Sequence, residues 1–263
     1  MGVRLKKAGI YAGFLFLGTF FLNPPISGYP KGPVQYVTNA GPFCASCHSV
    51  ADPEYLRDLP PEKIPEQLIE YKHYKAIRDG KGPYEQVSPE DRARLLEDVR
   101  MVDINAKVSL QAPPSAKPGE TIKVMVTTQG GAGPVIGIML VDINLRDQAS
   151  PVSATGWEIL EAPQVIGPDG KSQTWWLEKR LPELKRNINF ILVNGIKSDL
   201  AEKKFPEARV IYTLKAPQTP GEYTLTAAFL YGTEKASQIG LKGGILGPSG
   251  RILFSEVIKV RVE

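Results

Sequence analysis

Over its last 160 or so residues the chain is built of short runs in which apolar and polar positions alternate. Ile122, Val124 and Val126 alternate with polar or neutral neighbours after the turn Lys117-Pro118-Gly119-Glu120, the period-two pattern of a strand with one buried face. Residues 135–145 are more continuously apolar, as a central strand is. Further strand-like runs occupy 156–160, 174–177, 190–193, 209–214, 221–231 and 252–262, with Gly, Pro, Asn and Asp between them. Eight or nine strands at this spacing predict an all-β sandwich over 105–263. The piece Ala216-Pro217-Gln218-Thr219-Pro220-Gly221-Glu222-Tyr223 reads as the turn into a late strand of such a sandwich.

Upstream the period changes. From Pro61 to Asp79 the pattern is helical, with Ile69, His73, Ala76 and Ile77 on one face, Pro65 in a first turn and Gly80 as a stop. A second helix opens on Ser88 as N-cap, with Pro89 in its first turn and Asp91 three residues after the cap. Leu95, Leu96, Val99 and Val102 form its apolar stripe, and Met101 lies off that stripe. Before these comes a loop rich in Gly and Pro, and before that an uncharged run over 8–22, preceded by Arg4, Lys6 and Lys7 and ended by Pro24-Pro25. Its length and charge order predict a membrane anchor within 1–28, with the N-terminus inside and the rest of the chain outside. A removed signal peptide is the alternative, with Ile26-Ser27-Gly28 as its poor cleavage site. The fold class expected is α+β multidomain: a transmembrane helix (1–28), a small mainly helical segment (29–104) and a β-sandwich (105–263).

Composition adds a few exclusions. The 263 residues carry a net charge of +4, with 23% charged and 42% hydrophobic positions, an ordinary folded balance too weakly basic for nucleic acid. Charge is unevenly placed: residues 25–104 hold ten Lys/Arg against thirteen Asp/Glu, and residues 105–263 hold nineteen against fifteen. Such a difference steers an encounter partner only weakly at physiological salt. The sandwich region holds neither Cys nor His, which excludes type 1 copper and any His-dependent triad there. Its Gly-rich stretch at 240–250 has no Walker lysine and no following helix, so it is a loop and not a phosphate cradle.

The chemistry is concentrated at Cys44-Ala45-Ser46-Cys47-His48. These are the only two cysteines, and His48 is one of two histidines. A zinc site needs more ligands than the chain retains beyond this motif, and a redox dithiol has no use for the histidine that follows. The spacing C-x-x-C-H resembles the haem-attachment motif of c-type cytochromes. The resemblance implies one haem c, joined covalently through Cys44 and Cys47, with His48 as the proximal iron ligand, over the segment from 29 to 104. It also implies single-electron transport without catalysis, with other redox proteins or membrane-complex subunits as partners. Attachment of such a haem outside the cytoplasmic membrane agrees with the anchor reading.

The second iron ligand is left open by the sequence. His73, the other histidine, is the first candidate. Met101, at a separation from His48 similar to that in small cytochromes c, is the second, and an open position is the third. An open iron makes the chain a haem-based sensor or ligand-binding protein, and a mainly structural subunit is a further alternative. A haem beside a β-sandwich also resembles cytochrome f, with Tyr29-Pro30 at the place of that family's mature start, although the helical segment here precedes the sandwich and no C-terminal membrane helix follows.

Overall fold

The computed structural model describes residues 45, 48–50, 53–146, 148–178, 187–242 and 250–263. Two sheets share one core. The first runs β1 (Lys107–Gln111), β3 (Thr121–Gln129), β8 (Glu207–Lys215), β5 (Glu158–Ile159), with β6 (Gln164–Ile166) also on β8. The second runs β2 (Ser115–Ala116), β11 (Ile258–Val262), β9 (Gly221–Gly232), β4 (Ala132–Val141), β7 (Ile191–Asn194), with β10 (Gly250–Phe254) also on β9. The short β2–β11 pair is parallel.

The burial of these strands explains where the remaining chain lies. β3 and β8 alternate buried and more exposed positions, with Ile122, Val124 and Val126 facing Val210, Tyr212 and Leu214 on the core side. That is the pattern of a sheet with one wet face. In the second sheet, residues 135–141 of β4 and 225–231 of β9 are buried without interruption. A strand buried on both faces needs a second layer, and the segment upstream of β1 supplies one, as the bond from Tyr231 to Asp103 shows.

That layer departs from the expected small helical domain, and the fold-class expectation is corrected accordingly: the described chain is mostly β-sheet, with few helices. The helix expected over 61–79 is broken into a 3₁₀ turn at Ile64–Glu66, a π-helical turn at Glu70–Tyr74 and the short α1 (Lys75–Asp79). Pro60, Pro61 and Pro65 interrupt the amide donors of a continuous helix, and Gly80, at φ +65°, ends α1 in a left-handed cap. Only α2 (Pro89–Asn105) is long, and it starts as its sequence predicts, with Ser88 Oγ accepting from the Asp91 amide at 3.1 Å. Ile77, Tyr84, Leu95, Leu96 and Val99 form a small buried cluster of their own, while Val102 and Ala45 join the sandwich core. The run at 174–177 is also corrected, from strand to the single helical turn α3 (Trp175–Glu178).

The membrane expectations are corrected too. Among the described residues no helix is long and apolar enough to cross a membrane. The longest, α2, has 17 residues and carries Glu90, Asp91, Arg92, Arg94, Glu97, Asp98, Arg100 and Asp103. The expected single-pass anchor, and the periplasmic or extracellular placement drawn from it, are thus corrected to this: no described helix supplies a span. Residues 1–28, on which that reading fell, lie outside the described residues.

One cross-sandwich bond shows how the two sheets are tied. Asn189 stands opposite Leu140, continuing the β4–β7 register, but its side-chain amide replaces the backbone ladder. Its Oδ1 accepts from the Leu140 amide at 2.8 Å and its Nδ2 donates to the Leu140 carbonyl at 2.6 Å. The Asn189 carbonyl accepts instead from the Tyr212 hydroxyl of the opposite sheet, at 2.8 Å. Burial holds the Tyr212 phenol well above its ordinary pKa, so it stays a donor. Tyr212→Phe removes this bond across the sandwich, and urea denaturation is expected to show a loss of about 0.5–1.5 kcal/mol.

Candidate functional site

Ser49 fixes the chain where it leaves the C-x-x-C-H stretch. Its amide and hydroxyl both reach the Ala45 carbonyl, at 3.1 and 2.6 Å, and it forms a parallel bridge with Ile252 of β10. Its carbonyl accepts from Arg146 Nη1 at 3.1 Å and lies 3.5 Å from Lys72 Nζ. His48 is exposed, and its Nδ1 lies 3.4 Å from the Gly250 carbonyl. A backbone carbonyl only accepts, so this contact places the ring proton on Nδ1. The lone pair is then on Nε2, which has no hydrogen bond among the described residues. Carbonyl-oriented imidazoles of this kind are the usual ligands of metals. Cys44 and Cys47 lie outside the described residues.

A cavity of about 720 Å³ opens beside this point, within the ~300–1,000 Å³ range of sites for small molecules and cofactors. Val50, Leu56, Ile69, Leu145, Ile252 and Phe254 give it an apolar wall, and Arg146, Arg251 and Asp103 stand among them. Arg251 is 9% exposed, and its Nε has no hydrogen-bond partner among the described residues. An apolar wall carrying two guanidinium groups suits a large apolar ring that carries carboxylates. A haem is such a group, so the residues present fit it.

Behind the cavity lies a buried polar cluster centred on His73. Arg251 Nη2 donates to His73 Nδ1 at 2.6 Å and to Asp103 Oδ2 at 3.1 Å. A guanidinium has no acceptor, so Nδ1 must carry the lone pair and the ring proton sits on Nε2. Nε2 faces Glu234 Oε1 and lies 2.8 Å from the Tyr84 hydroxyl. Glu234 is 0% exposed and also accepts from the Tyr84 hydroxyl at 2.6 Å and from Thr233 Oγ1. Asp103 takes the Tyr74 and Tyr231 hydroxyls, both at 2.9 Å. Burial, followed by the neighbouring carboxylate, raises the pKa of Tyr74, Tyr84 and Tyr231.

The two histidines therefore differ. Both lie against the start of β10, His48 at Gly250 and His73 at Arg251. His48 has a nitrogen lone pair to offer, whereas His73 has Nδ1 taken by Arg251 and a proton on Nε2. Iron ligation by His73 requires Arg251 to withdraw or Nε2 to lose its proton. Met101 is half-buried on α2, and its carbonyl accepts from Asn105 Nδ2 at 2.8 Å. From that helix Asp103 reaches the cavity wall, and Met101 is not on the wall among the described residues. The metal-binding expectation is corrected in one respect: among the described residues no group of three or more His, Cys, Asp or Glu could hold a metal ion.

Arg251, Glu234, Asp103 and Tyr84 have no motif to announce them. Glu234 alone left a trace, as a carboxylate two residues beyond the apolar run of β9. No protein-family model matches the chain, and no curated protein matches it.

The cluster predicts how stability responds to mutation and alkali. Glu234→Ala removes the acceptor shared by Tyr84, Thr233 and His73 from a buried cluster; thermal and urea denaturation are expected to show a loss of about 3–5 kcal/mol at neutral pH. Tyr74, Tyr84, Tyr212 and Tyr231 all have folded pKa values raised above the ordinary 10.0. Their contribution is thus fully present below about pH 10 and is lost as the pH rises above it, because the unfolded state gives up its phenolic protons first. Urea denaturation repeated from pH 8 to pH 11 is expected to show this fall near the top of that range. Stability unchanged to about pH 11 would contradict the buried-phenol account.

Proposed function

We propose that this chain is a monohaem c-type cytochrome that carries single electrons. The observation that carries the reading is positional: Ser49 and Val50, the residues next after Cys44-Ala45-Ser46-Cys47-His48, form part of the wall of the cavity. Cys44 and Cys47 would hold a haem through thioethers, and His48 Nε2 would be its proximal ligand. When bound, the haem supplies a one-electron couple at iron.

The chain's own residues do the rest. The Gly250 carbonyl orients His48. Ser49, bridged to β10 and held through its carbonyl by Arg146, keeps the attachment point in place. The apolar wall limits water at the site, which is one of the protein's levers on reduction potential. Other redox proteins are the partners that this chemistry requires.

A second reading is a ligand-binding or sensing protein with an open iron, and one observation favours it: both ring nitrogens of His73 are engaged within the chain. Carbon monoxide separates the two, since stoichiometric binding to the reduced protein supports the open site and none supports the electron carrier. The haem itself is tested on the full chain made in a host that matures c-type cytochromes. Haem stain is expected to survive denaturing electrophoresis and to vanish in the Cys44→Ala, Cys47→Ala double variant. A wild-type protein without covalent haem would end the reading.

A further inference from the structure

The end of β7 carries a reactive pair. Asn194-Gly195 is the chain's one Asn–Gly dipeptide, and both residues are exposed where that strand ends. The Gly195 amide donates to Oδ1 of the preceding Asn194 at 2.8 Å. A carbonyl oxygen lies about 1.2 Å from its carbon, so this contact brings the Gly195 nitrogen close to Cγ of Asn194. Reacting atoms held at such short range form a near-attack arrangement. Gly195 has no side chain to screen its nitrogen, and it takes φ +84°, where glycine is favoured over any residue with a Cβ.

The peptide group between the two residues is also polarised. Gln173 Nε2 donates to the Asn194 carbonyl at 3.0 Å, and Gln173 Oε1 accepts from the Asn194 amide at 2.8 Å. Loss of the Gly195 amide proton places negative charge on that carbonyl, and a donor already aimed at it stabilises the charge. Gln173 is itself fixed. Its own amide donates to the Val165 carbonyl at 2.9 Å, its Oε1 also accepts from the Trp175 indole at 3.2 Å, and it sits against Gly167, where a Cβ would clash with Nε2.

We propose that Asn194 is a site of spontaneous deamidation, with the Gly195 nitrogen as nucleophile and Gln173 as the donor to the reacting peptide. The Gly195 nitrogen gives its proton to hydroxide and bonds to Asn194 Cγ. The Cγ–Nδ2 bond breaks, and Nδ2 takes a proton from water and leaves as ammonia, which restores the hydroxide. Water then opens the cyclic imide. Opening at the side-chain carbonyl gives an aspartate, and opening at the main-chain carbonyl gives an isoaspartate whose backbone runs through the former side chain. Either product adds a carboxylate to a groove of about 500 Å³ where Asp169 and Glu178 already stand. The isoaspartate also lengthens the main chain at the residue paired with Val135, so Gln173 can no longer meet both the amide and the carbonyl. The reaction needs neither haem nor partner and is independent of the cytochrome reading.

The test incubates the purified full-length protein in mildly alkaline buffer and follows each asparagine by peptide mapping with electron-based fragmentation, which separates isoaspartate from aspartate. Asn194 is expected to convert at least about tenfold faster than Asn144 and Asn187, which are also exposed but precede Leu145 and Ile188. Isoaspartate is expected among the products. Gly195→Ala is expected to slow the conversion at least as much, and Gln173→Ala to slow it severalfold. The wild-type map carries the test if either variant does not accumulate. An Asn194 that stays intact while Asn144 or Asn187 converts would overturn the proposal. Unchanged or faster conversion in Gln173→Ala would overturn the part assigned to Gln173.

Discussion

A carboxylate at 0% exposure, Glu234, is the constraint on which the arrangement depends. A buried anion is tolerated only where donors surround it. Thr233 beside it in the chain supplies one donor, and the others, from His73 and Tyr84, come from more than 140 residues earlier. Glu234 can be buried only when the upstream segment is docked on the second sheet. Docking also lays α2 against that sheet, through Asp98 to Ser237 and Asp103 to Tyr231. It brings Ser49 alongside β10 and closes the cavity between the two layers. One buried charge thus couples the fold of the sandwich to the assembly of the site.

The same cluster explains why two histidines in one small region are chemically unlike. An imidazole keeps a lone pair to offer when its other nitrogen donates to an acceptor, and has that lone pair committed when it must accept from a cation. The Gly250 carbonyl does the first to His48, and Arg251 does the second to His73. Adjacent residues of one strand therefore assign opposite roles. Sequence inventory alone favours His73 as the second ligand because histidine is scarce. Scarcity says nothing about which nitrogen is free.

How much was legible follows from what each signal depends on. The alternation of Ile122, Val124 and Val126 and the cap at Ser88 are local, and both are found where expected. The motif at 44–48 was legible as a spacing, because both thiols of the chain and one of its two imidazoles fall within five residues. The broken helix over 64–79 was less so: the face of Ile69, His73 and Ile77 reads as one regular amphipathic helix, but a π turn at Glu70–Tyr74 falls within it and a 3₁₀ turn at Ile64–Glu66 precedes it. The partners of His73 were not legible at all. Arg251 is 178 residues away and Glu234 is 161, and such pairings depend on topology that no local pattern carries. Likewise, the uninterrupted burial of 135–141 reads as a central strand but does not say which segment covers its second face.

The cavity's construction also bears on the choice between electron carrier and sensor. The two histidines meet neighbouring residues, Gly250 and Arg251, at the start of a strand paired to β9 along 250–254. Two points of attachment on one paired strand cannot easily move relative to each other. A sensor needs an element with two discrete positions that a ligand can bias, and a carrier benefits from a site that changes little when its charge changes. Arg251 is held by His73 and Asp103, which are held in turn by Glu234, Tyr84, Tyr74 and Tyr231. The groups around the cavity are thus cross-braced by hydrogen bonds on both sides of the guanidinium. That bracing favours the carrier, and it also locates what a sensor here would have to break: the bond between Arg251 and His73 Nδ1, whose loss would free the one further imidazole lone pair in the chain.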